Sequence, residues 1–122
     1  MRVYISVDME GVAGVVHSDQ CRRGRGGYDE ACELMTAEAN AAAAGAFDGG
    51  AAEVLINDSH GDMRNLRLES LDPRVQVLSG SLKQFSMAEG LESGRFDLAF
   101  FVGYHGGAGT QNSILDHTYR ST

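Results

Sequence analysis

Four short apolar runs, separated by segments long enough to contain helices, place the strongest constraint on how this chain can fold. They are residues 2–8, Val54–Ile56, Val75–Leu78 and the segment "DLAFFVGYH" at 97–105. Strands that are apolar almost throughout are typical of a parallel sheet whose two faces are both covered. We therefore predict an α/β fold with an open, mainly parallel sheet flanked by helices.

Two segments between these runs have helical character. From Tyr28 to Phe47 apolar side chains recur at helical spacing, acidic residues lie near the start, and Gly49 and Gly50 follow the end. A second, shorter helix is predicted from Lys83 to Leu91. The 122 residues have the length of one ordinary domain, so we expect residues 1–122 to form a single α/β domain.

The charge balance disfavours some classes of partner. Ten basic and seventeen acidic residues give a net charge of −7, which repels nucleic-acid phosphates, and the basic run "CRRGRGG" at 21–27 is predicted to be a solvated loop. The chain has no apolar stretch of membrane-spanning length and no apolar signal-peptide core. We expect a cytoplasmic protein without a nucleic-acid or membrane partner. Cys21 and Cys32 are expected to be ordinary thiols.

Polar residues follow three of the four predicted strands. Asp8 and Glu10 end the first, the segment 57–60 ("NDSH") ends the second, and His105 ends the fourth. Loops at the carboxyl ends of parallel strands rise from one edge of the sheet, where ligands bind in such folds. Asp8 and Glu10 are two residues apart, so an extended chain would point both to the same side. The topology thus predicts that these side chains converge.

Two carboxylates and two imidazoles at one edge suit a divalent ion such as zinc, and a shared carboxylate can bridge two ions. We hypothesise a dinuclear site bridged by Asp8. Ligating histidines usually donate their other ring N–H to a carboxylate or a carbonyl, and Asp58 is predicted to be that partner.

Each motif also has an ordinary structural interpretation. "DMEG" alone is typical of solvated acids at a strand exit, "NDSHGD" of an Asx turn or helix cap, and "YHGGAGT" of an anion-binding glycine loop. His17 is expected to lie on the surface. The metal hypothesis gains weight only because the acids and histidines occur together at the ends of successive strands.

Five motifs, in order and at these separations, resemble the D-aminopeptidase family of zinc metallopeptidases, of the dipeptide-transport type. They are "SVDMEGVAG", "NDSHGDMRN", "SGSLKQFSMAEGL", "GYHGGAGT" and "ILDHTY". The resemblance extends over essentially the whole chain. It implies a hydrolase with two Zn²⁺ ions that removes N-terminal residues, D-amino acids in the characterised type, from short peptides.

The resemblance also implies roles for individual residues. Asp8, Glu10, His60 and His105 match the metal ligands, with the aspartate bridging, and His117 in "LDHTY" matches a catalytic histidine. Two roles remain open for His117: stabilising the tetrahedral oxyanion, or passing a proton to the leaving amine. The family's subunits assemble into rings, so a homo-oligomer is expected. Residues 1–122 would be the N-terminal metal-binding portion of a longer fold.

The sequence departs from the family pattern in three places. A further metal-binding glutamate is expected beyond Thr122, so one metal would lack a ligand in this chain, and we expect the isolated chain to be feeble or inactive. The chain would then be a fragment or a natural truncation. Gly107 stands where many relatives have arginine, which puts contacts to the substrate in question. Lys83 and Gln84 replace a common Lys-Pro pair.

Two other functions remain as alternatives. A two-metal phosphoesterase also uses Asp, His and Asn at strand ends, but it would want an Asn-His pair, and "GNH" is absent from this sequence. A truncated, non-catalytic relative would keep the fold as a metal-binding or assembly module. A screen of an amino-acid anilide against a phosphate ester separates the two enzymes. Zinc binding without hydrolysis, in a chain shown to be its gene's full product, would favour the module.

Overall fold

A computed structural model describes residues 1–118 and contains a four-stranded, all-parallel sheet. The strands are β1 (Arg2–Val7), β2 (Glu53–Asp58), β3 (Gln76–Leu78) and β4 (Leu98–Val102), in the order β3-β2-β1-β4. This arrangement confirms the predicted α/β class with a parallel sheet. β1 and β2 are the central strands, and β3 and β4 are the edge strands.

The strand register brings three carboxyl ends together. Val7, the last residue of β1, pairs with Asp58 at the end of β2 and with Val102 at the end of β4. Every residue that follows these strands therefore leaves the sheet at the same level and the same edge. This shared exit is the structural reason that sequence-distant polar residues meet.

One α-helix, α1 (Tyr28–Asp48), covers one face of the sheet. It begins after Gly27 and ends at Asp48, and the N–H of the following Gly49 donates to Gly45 O. The predicted bounds, Tyr28 to Phe47, are therefore confirmed to within one residue. Its alanine-rich face allows close packing on the strands. A hydrophobic core lies between α1 and the sheet. Its fully buried residues include Val3, Ile5, Val7, Ala31, Met35, Ala39, Ala43 and Ile56. Fully burying a valine, isoleucine or methionine side chain contributes about 1.5–3 kcal/mol to the free energy of unfolding.

The prediction of a second helix over Lys83–Leu91 is wrong. The structure has two short 3₁₀ turns there, at Ser86–Ala88 and Leu91–Ser93. Side chains of the central strands compete for the carbonyls that an α-helix would need. Three of them donate to backbone oxygens of the segment: Asn57 to Ser86 O, Ser6 to Met87 O, and Tyr4 to Met87 O and Glu89 O. An irregular segment therefore covers this part of the second face.

The exits of β1 and β4 are in backbone contact. Asp8 N donates to Val102 O at 2.9 Å, and Gly11 N donates to Gly103 O at 2.8 Å. Gly103 has a φ of +65°, and a Cβ at this position would lie 2.5 Å from Asp8 O. Only glycine fits such a close backbone approach.

Two further 3₁₀ turns lie at Ser18–Cys21 and Leu68–Ser70. Among residues 1–118, no helix has both the length and the apolar character needed to cross a bilayer.

Candidate metal centre

Two buried carboxylates form the base of the site. Asp8 and Glu10 follow β1 directly and are only 1% and 5% exposed. Asp8 Oδ1 accepts a hydrogen bond from Met9 N at 2.8 Å, which fixes the orientation of the carboxylate. Burial of two acids this close together is unfavourable unless a positive charge lies between them.

His60 is the residue that the structure places between these acids. Its Nδ1 lies 3.2 Å from Asp8 Oδ1 and 3.2 Å from Glu10 Oε2. Its Nε2 lies 2.8 Å from Cys21 O. A carbonyl oxygen can only accept, so Nε2 carries the hydrogen and donates it to Cys21. In the neutral imidazole, the lone pair is then on Nδ1 and faces the two carboxylates.

These three residues match the chemistry of a metal site. One ligand atom from each of Asp8, Glu10 and His60 lies within 4.8 Å of the other two, and all three residues are buried. Two carboxylate oxygens and one imidazole nitrogen are donors that zinc accepts. The second ring nitrogen of His60 also has the carbonyl partner usual for a ligating histidine. The donor set therefore fits a zinc ion.

The electrostatics of this cluster also favour a cation. Burial acts to lower the pKa of His60, but Asp8 and Glu10 outweigh it and raise the pKa to about 10. Burial acts to raise the pKa of Glu10, but the hydrogen bond from His60 helps to lower it to about 2. For Asp8, burial is the largest effect and raises the pKa. The buried acids thus hold a proton on the imidazole at neutral pH, in the position that suits a metal ion.

His105, which follows β4, faces the carboxylate oxygen of Asp8 that is not paired with His60. Its Nε2 lies 3.5 Å from Asp8 Oδ2, and its side chain is 4% exposed. Its Nδ1 lies 2.8 Å from Gly106 O, so Nδ1 carries the hydrogen and Nε2 faces the carboxylate. Asp8 therefore presents one oxygen to His60 and the other to His105. The four residues that the sequence predicted as ligands lie together.

His117 lies next to this cluster on an exposed loop. Its ring stacks on the ring of His105 with a centroid separation of 3.6 Å and an interplanar angle of 19°. It lines a cavity of about 260 Å³ together with Asp8, Glu10 and His60. The Nδ1 of His117 donates to Leu115 O, which leaves Nε2 of the neutral ring as a proton acceptor. Tyr119, which ends the "ILDHTY" motif, lies outside the described residues.

Asp58 has a different role from the predicted one. The ring N–H of His60 donates to Cys21 O, while both oxygens of Asp58 accept hydrogen bonds from other groups. Oδ2 accepts from the backbone N–H groups of Asn65 and Leu66 at 2.6 and 2.9 Å, and Oδ1 accepts from the Asn65 side chain at 2.8 Å. Asp58 therefore holds the turn that carries His60 rather than the imidazole itself.

Sequence reasoning missed two neighbours of His60. No sequence signal identifies Cys21, because its contribution is a backbone carbonyl. Asn65 could have been noticed as the last residue of the "NDSHGDMRN" motif. His17 lies on the surface as expected, where its Nδ1 accepts from Asp19 N and caps the turn at Ser18–Cys21.

Comparisons with known proteins agree with this geometry. Residues 1–122 match a family model described as D-aminopeptidase (Peptidase_M55). A D-aminopeptidase of Bacillus subtilis (strain 168) is 43% identical over 118 residues, which are 97% of this chain and 42% of the relative. A solved structure, described as Zn-dependent D-aminopeptidase DppA from Bacillus subtilis, a self-compartmentalizing protease, superposes with a TM-score of 0.91 at 43% identity. That match covers 97% of this chain and 42% of that one, so the chain spans less than half the length of these relatives.

Proposed function

Because the chain belongs to the D-aminopeptidase family, we propose that it is a zinc-dependent aminopeptidase acting on the N-terminal peptide bond of short peptides, including those that begin with a D-amino acid. One observation carries the proposal. The buried Asp8, Glu10 and His60 converge on a zinc-compatible site in a chain 43% identical to a zinc-dependent D-aminopeptidase.

The proposal assigns four metal ligands: Asp8, Glu10, His60 and His105. Two zinc ions with Asp8 as the shared ligand are supported by the arrangement of its carboxylate, since Oδ1 faces His60 and Oδ2 faces His105. His60 would bind through Nδ1 because Nε2 is engaged by Cys21 O.

Zinc, when bound, supplies Lewis acidity that polarises the peptide carbonyl and acidifies a water molecule. The chain's own residues hold the cation and position the substrate. The buried carboxylates keep the cation in place, and the enclosed position of Asp8 and Glu10 strengthens their attraction for it. The cavity beside them admits the substrate's N-terminal end next to the charged groups.

His117 is proposed as the catalytic histidine. Its Nε2 can accept a proton in the neutral ring, and after protonation the same atom can donate to a developing oxyanion or to the leaving amine. Stacking on His105 positions it beside the cluster. Both roles use the same atom, and both require His117 to remain in the cavity.

The remaining parts of the proposal concern partners and place. We propose a homo-oligomer, supported by the description of the Bacillus relative as self-compartmentalizing. The exposed apolar side chains of edge strand β4, Leu98 and Phe101, are compatible with further protein packing there. The cytoplasmic location is proposed from the sequence alone.

The direct test is a substrate comparison with the zinc-loaded, full-length gene product. We expect a D-alanine anilide to be hydrolysed, an L-alanine anilide to be hydrolysed more slowly, and p-nitrophenyl phosphate to remain intact. Chelation should abolish hydrolysis, and added zinc should restore it. Cleavage of the phosphate ester but neither anilide would overturn the assignment in favour of the phosphoesterase.

The non-catalytic alternative gives a different result in the same experiment. A metal-binding or assembly module would bind zinc at Asp8, Glu10 and His60 but would hydrolyse none of the three compounds. Zinc binding and hydrolysis should therefore be measured on the same preparation.

A further inference from the structure

The turn between β2 and Leu66 is held by a buried polar network that no part of the proposed chemistry uses. Asp58 is fully buried, Asn65 is 2% exposed, and Tyr28, at the start of α1, is 5% exposed. Buried polar groups are costly unless they are hydrogen-bonded, and a fully paired network makes one backbone arrangement strongly preferred. A network of this kind beside the site requires an explanation.

Asn65 is the centre of the network. Its side-chain amide donates one hydrogen to Asp58 Oδ1 at 2.8 Å and the other to His60 O at 2.6 Å. Its Oδ1 accepts from Tyr28 OH at 2.7 Å. Both amide hydrogens and the carbonyl oxygen therefore have defined partners, so the orientation of the amide is fixed.

The network ends on the backbone of His60. His60 O accepts from Asn65 Nδ2 and from Met63 N at 2.7 Å, which occupies both of its lone pairs. The turn also includes two residues with left-handed backbone, Gly61 at φ +55° and Met63 at φ +59°. The left-handed conformation is unfavourable for a non-glycine residue such as Met63 and persists only where surrounding contacts fix the turn.

We propose that Asn65 is a positioning residue for the metal site, with Tyr28 as its support. Asn65 fixes the carbonyl of His60, and Cys21 O fixes the far side of the ring, so Nδ1 is held 3.2 Å from both Asp8 and Glu10. The inference rests on the proposed function, because it assumes that His60 binds zinc. It extends that function by linking the start of α1 to metal affinity.

The test measures zinc affinity of the folded protein by competition with a chromophoric chelator. Asn65→Ala should lower the affinity about 10- to 100-fold, the usual cost of losing a residue that orients a ligand. Tyr28→Phe removes only the hydroxyl that holds Asn65, so it should lower the affinity about 3- to 10-fold. This milder variant keeps the test decisive where Asn65→Ala folds poorly.

Asn40→Ala is the matched control. Asn40 lies on α1 and also bonds through both ends of its amide, donating to Ser70 O at 2.7 Å and accepting from Asp72 N at 2.8 Å. It ties a loop to the helix away from the metal cluster. Its replacement should lower the denaturation midpoint yet leave the zinc affinity of the folded protein within twofold of the original.

The outcomes separate the two claims. If His60→Ala abolishes zinc binding while Asn65→Ala and Tyr28→Phe both behave like the Asn40→Ala control, the positioning role is wrong and the zinc site stands. If His60→Ala binds zinc as tightly as the original protein, the proposed site fails and the inference fails with it. Affinity lost in Asn65→Ala and Tyr28→Phe but kept in Asn40→Ala supports the inference.

Discussion

The two sides of the candidate metal centre are built differently. Asp8, Glu10 and His60 leave the central strands β1 and β2 and are buried, while His105 and His117 follow the edge strand β4. Five of the six residues of β1 are buried, and Arg2 is the exception. No residue of β4 is buried. We call these the core side and the edge side of the site.

The hydrogen bonds of the two sides show the same contrast. On the core side, His60 is fixed by groups from α1, from the loop before it and from the turn after β2. On the edge side, the loop from 106 to 117 is held mainly by its own local bonds, such as Gly106 N to Ser113 Oγ and His117 N to Gly106 O. Locally held exposed loops open more easily than core elements.

This difference suits the two sides to different roles, metal binding and proton transfer. Residues that hold a metal benefit from rigidity, because a preorganised site does not lose affinity to rearrangement. A group that transfers protons to a substrate must also allow the substrate to enter and leave. The core side therefore suits metal retention, and the exposed His117 suits the chemical step.

Replacing Asp8 should have the largest effect, because both imidazoles of the site face its carboxylate. We expect Asp8→Ala to purify with almost no zinc by elemental analysis, and to lose hydrolysis with it. Asp72→Ala is the control, since Asp72 pairs with Arg74 at the surface. Full zinc content in Asp8→Ala would contradict its assignment as a shared ligand.

Replacing His117 should separate the two sides. His117→Ala is expected to retain its zinc but to lower kcat about 10²- to 10⁴-fold, the usual contribution of a proton-transferring group. His17→Ala serves as the control, because His17 is an exposed histidine that caps a turn elsewhere. Loss of zinc from His117→Ala would show that His117 itself helps to hold the metal.

The contact between the two sides can be broken at Gly103. Gly103→Ala would force a Cβ to 2.5 Å from Asp8 O at a φ of +65°, so we expect a loss of about 3 kcal/mol in the free energy of unfolding. Gly24 also has a positive φ, +81°, but a Cβ there meets no atom within 4 Å, so Gly24→Ala should cost about 1 kcal/mol. Equal losses in chemical denaturation would mean that the strand exits are not tightly packed.

The smallest effect is expected from treatment with a thiol-alkylating reagent, which should leave Cys21 on the core side unmodified. Burial raises the pKa of this thiol to about 12, with smaller contributions from Glu10 and Asp8. At pH 8 only about one thiol in ten thousand would be ionised, so iodoacetamide should not modify Cys21 in the folded protein. His117→Ala should leave this protection unchanged. Rapid modification of Cys21 in the native protein would show that the core side is open.

The features that depend on the strands and on their shared exit edge were predicted from the sequence. β1, α1 and the convergence of Asp8, Glu10, His60 and His105 follow from apolar runs, helical spacing and the shared exit edge of parallel strands. Those patterns are local in the sequence. The parallel topology then brings the ends of the strands to one edge of the sheet.

The failures share one cause. The segment 83–91 has helical composition, but Asn57, Ser6 and Tyr4 take its carbonyls, and Asp58 was assigned to an imidazole that in fact donates to Cys21 O. In both cases a side chain bonds to the backbone of a segment distant in the chain. Such contacts leave no periodicity in the sequence and appear only once the fold brings the partners together.

The central claim is that the core side holds zinc through Asp8, Glu10 and the Nδ1 atom of His60. Crystals of the zinc-loaded protein, measured on both sides of the zinc absorption edge, would locate the ion directly. We predict an anomalous peak within bonding distance of both carboxylates and His60 Nδ1, with Nε2 still donating to Cys21 O. A peak elsewhere, or zinc bound through Nε2 of a rotated ring, would contradict the account.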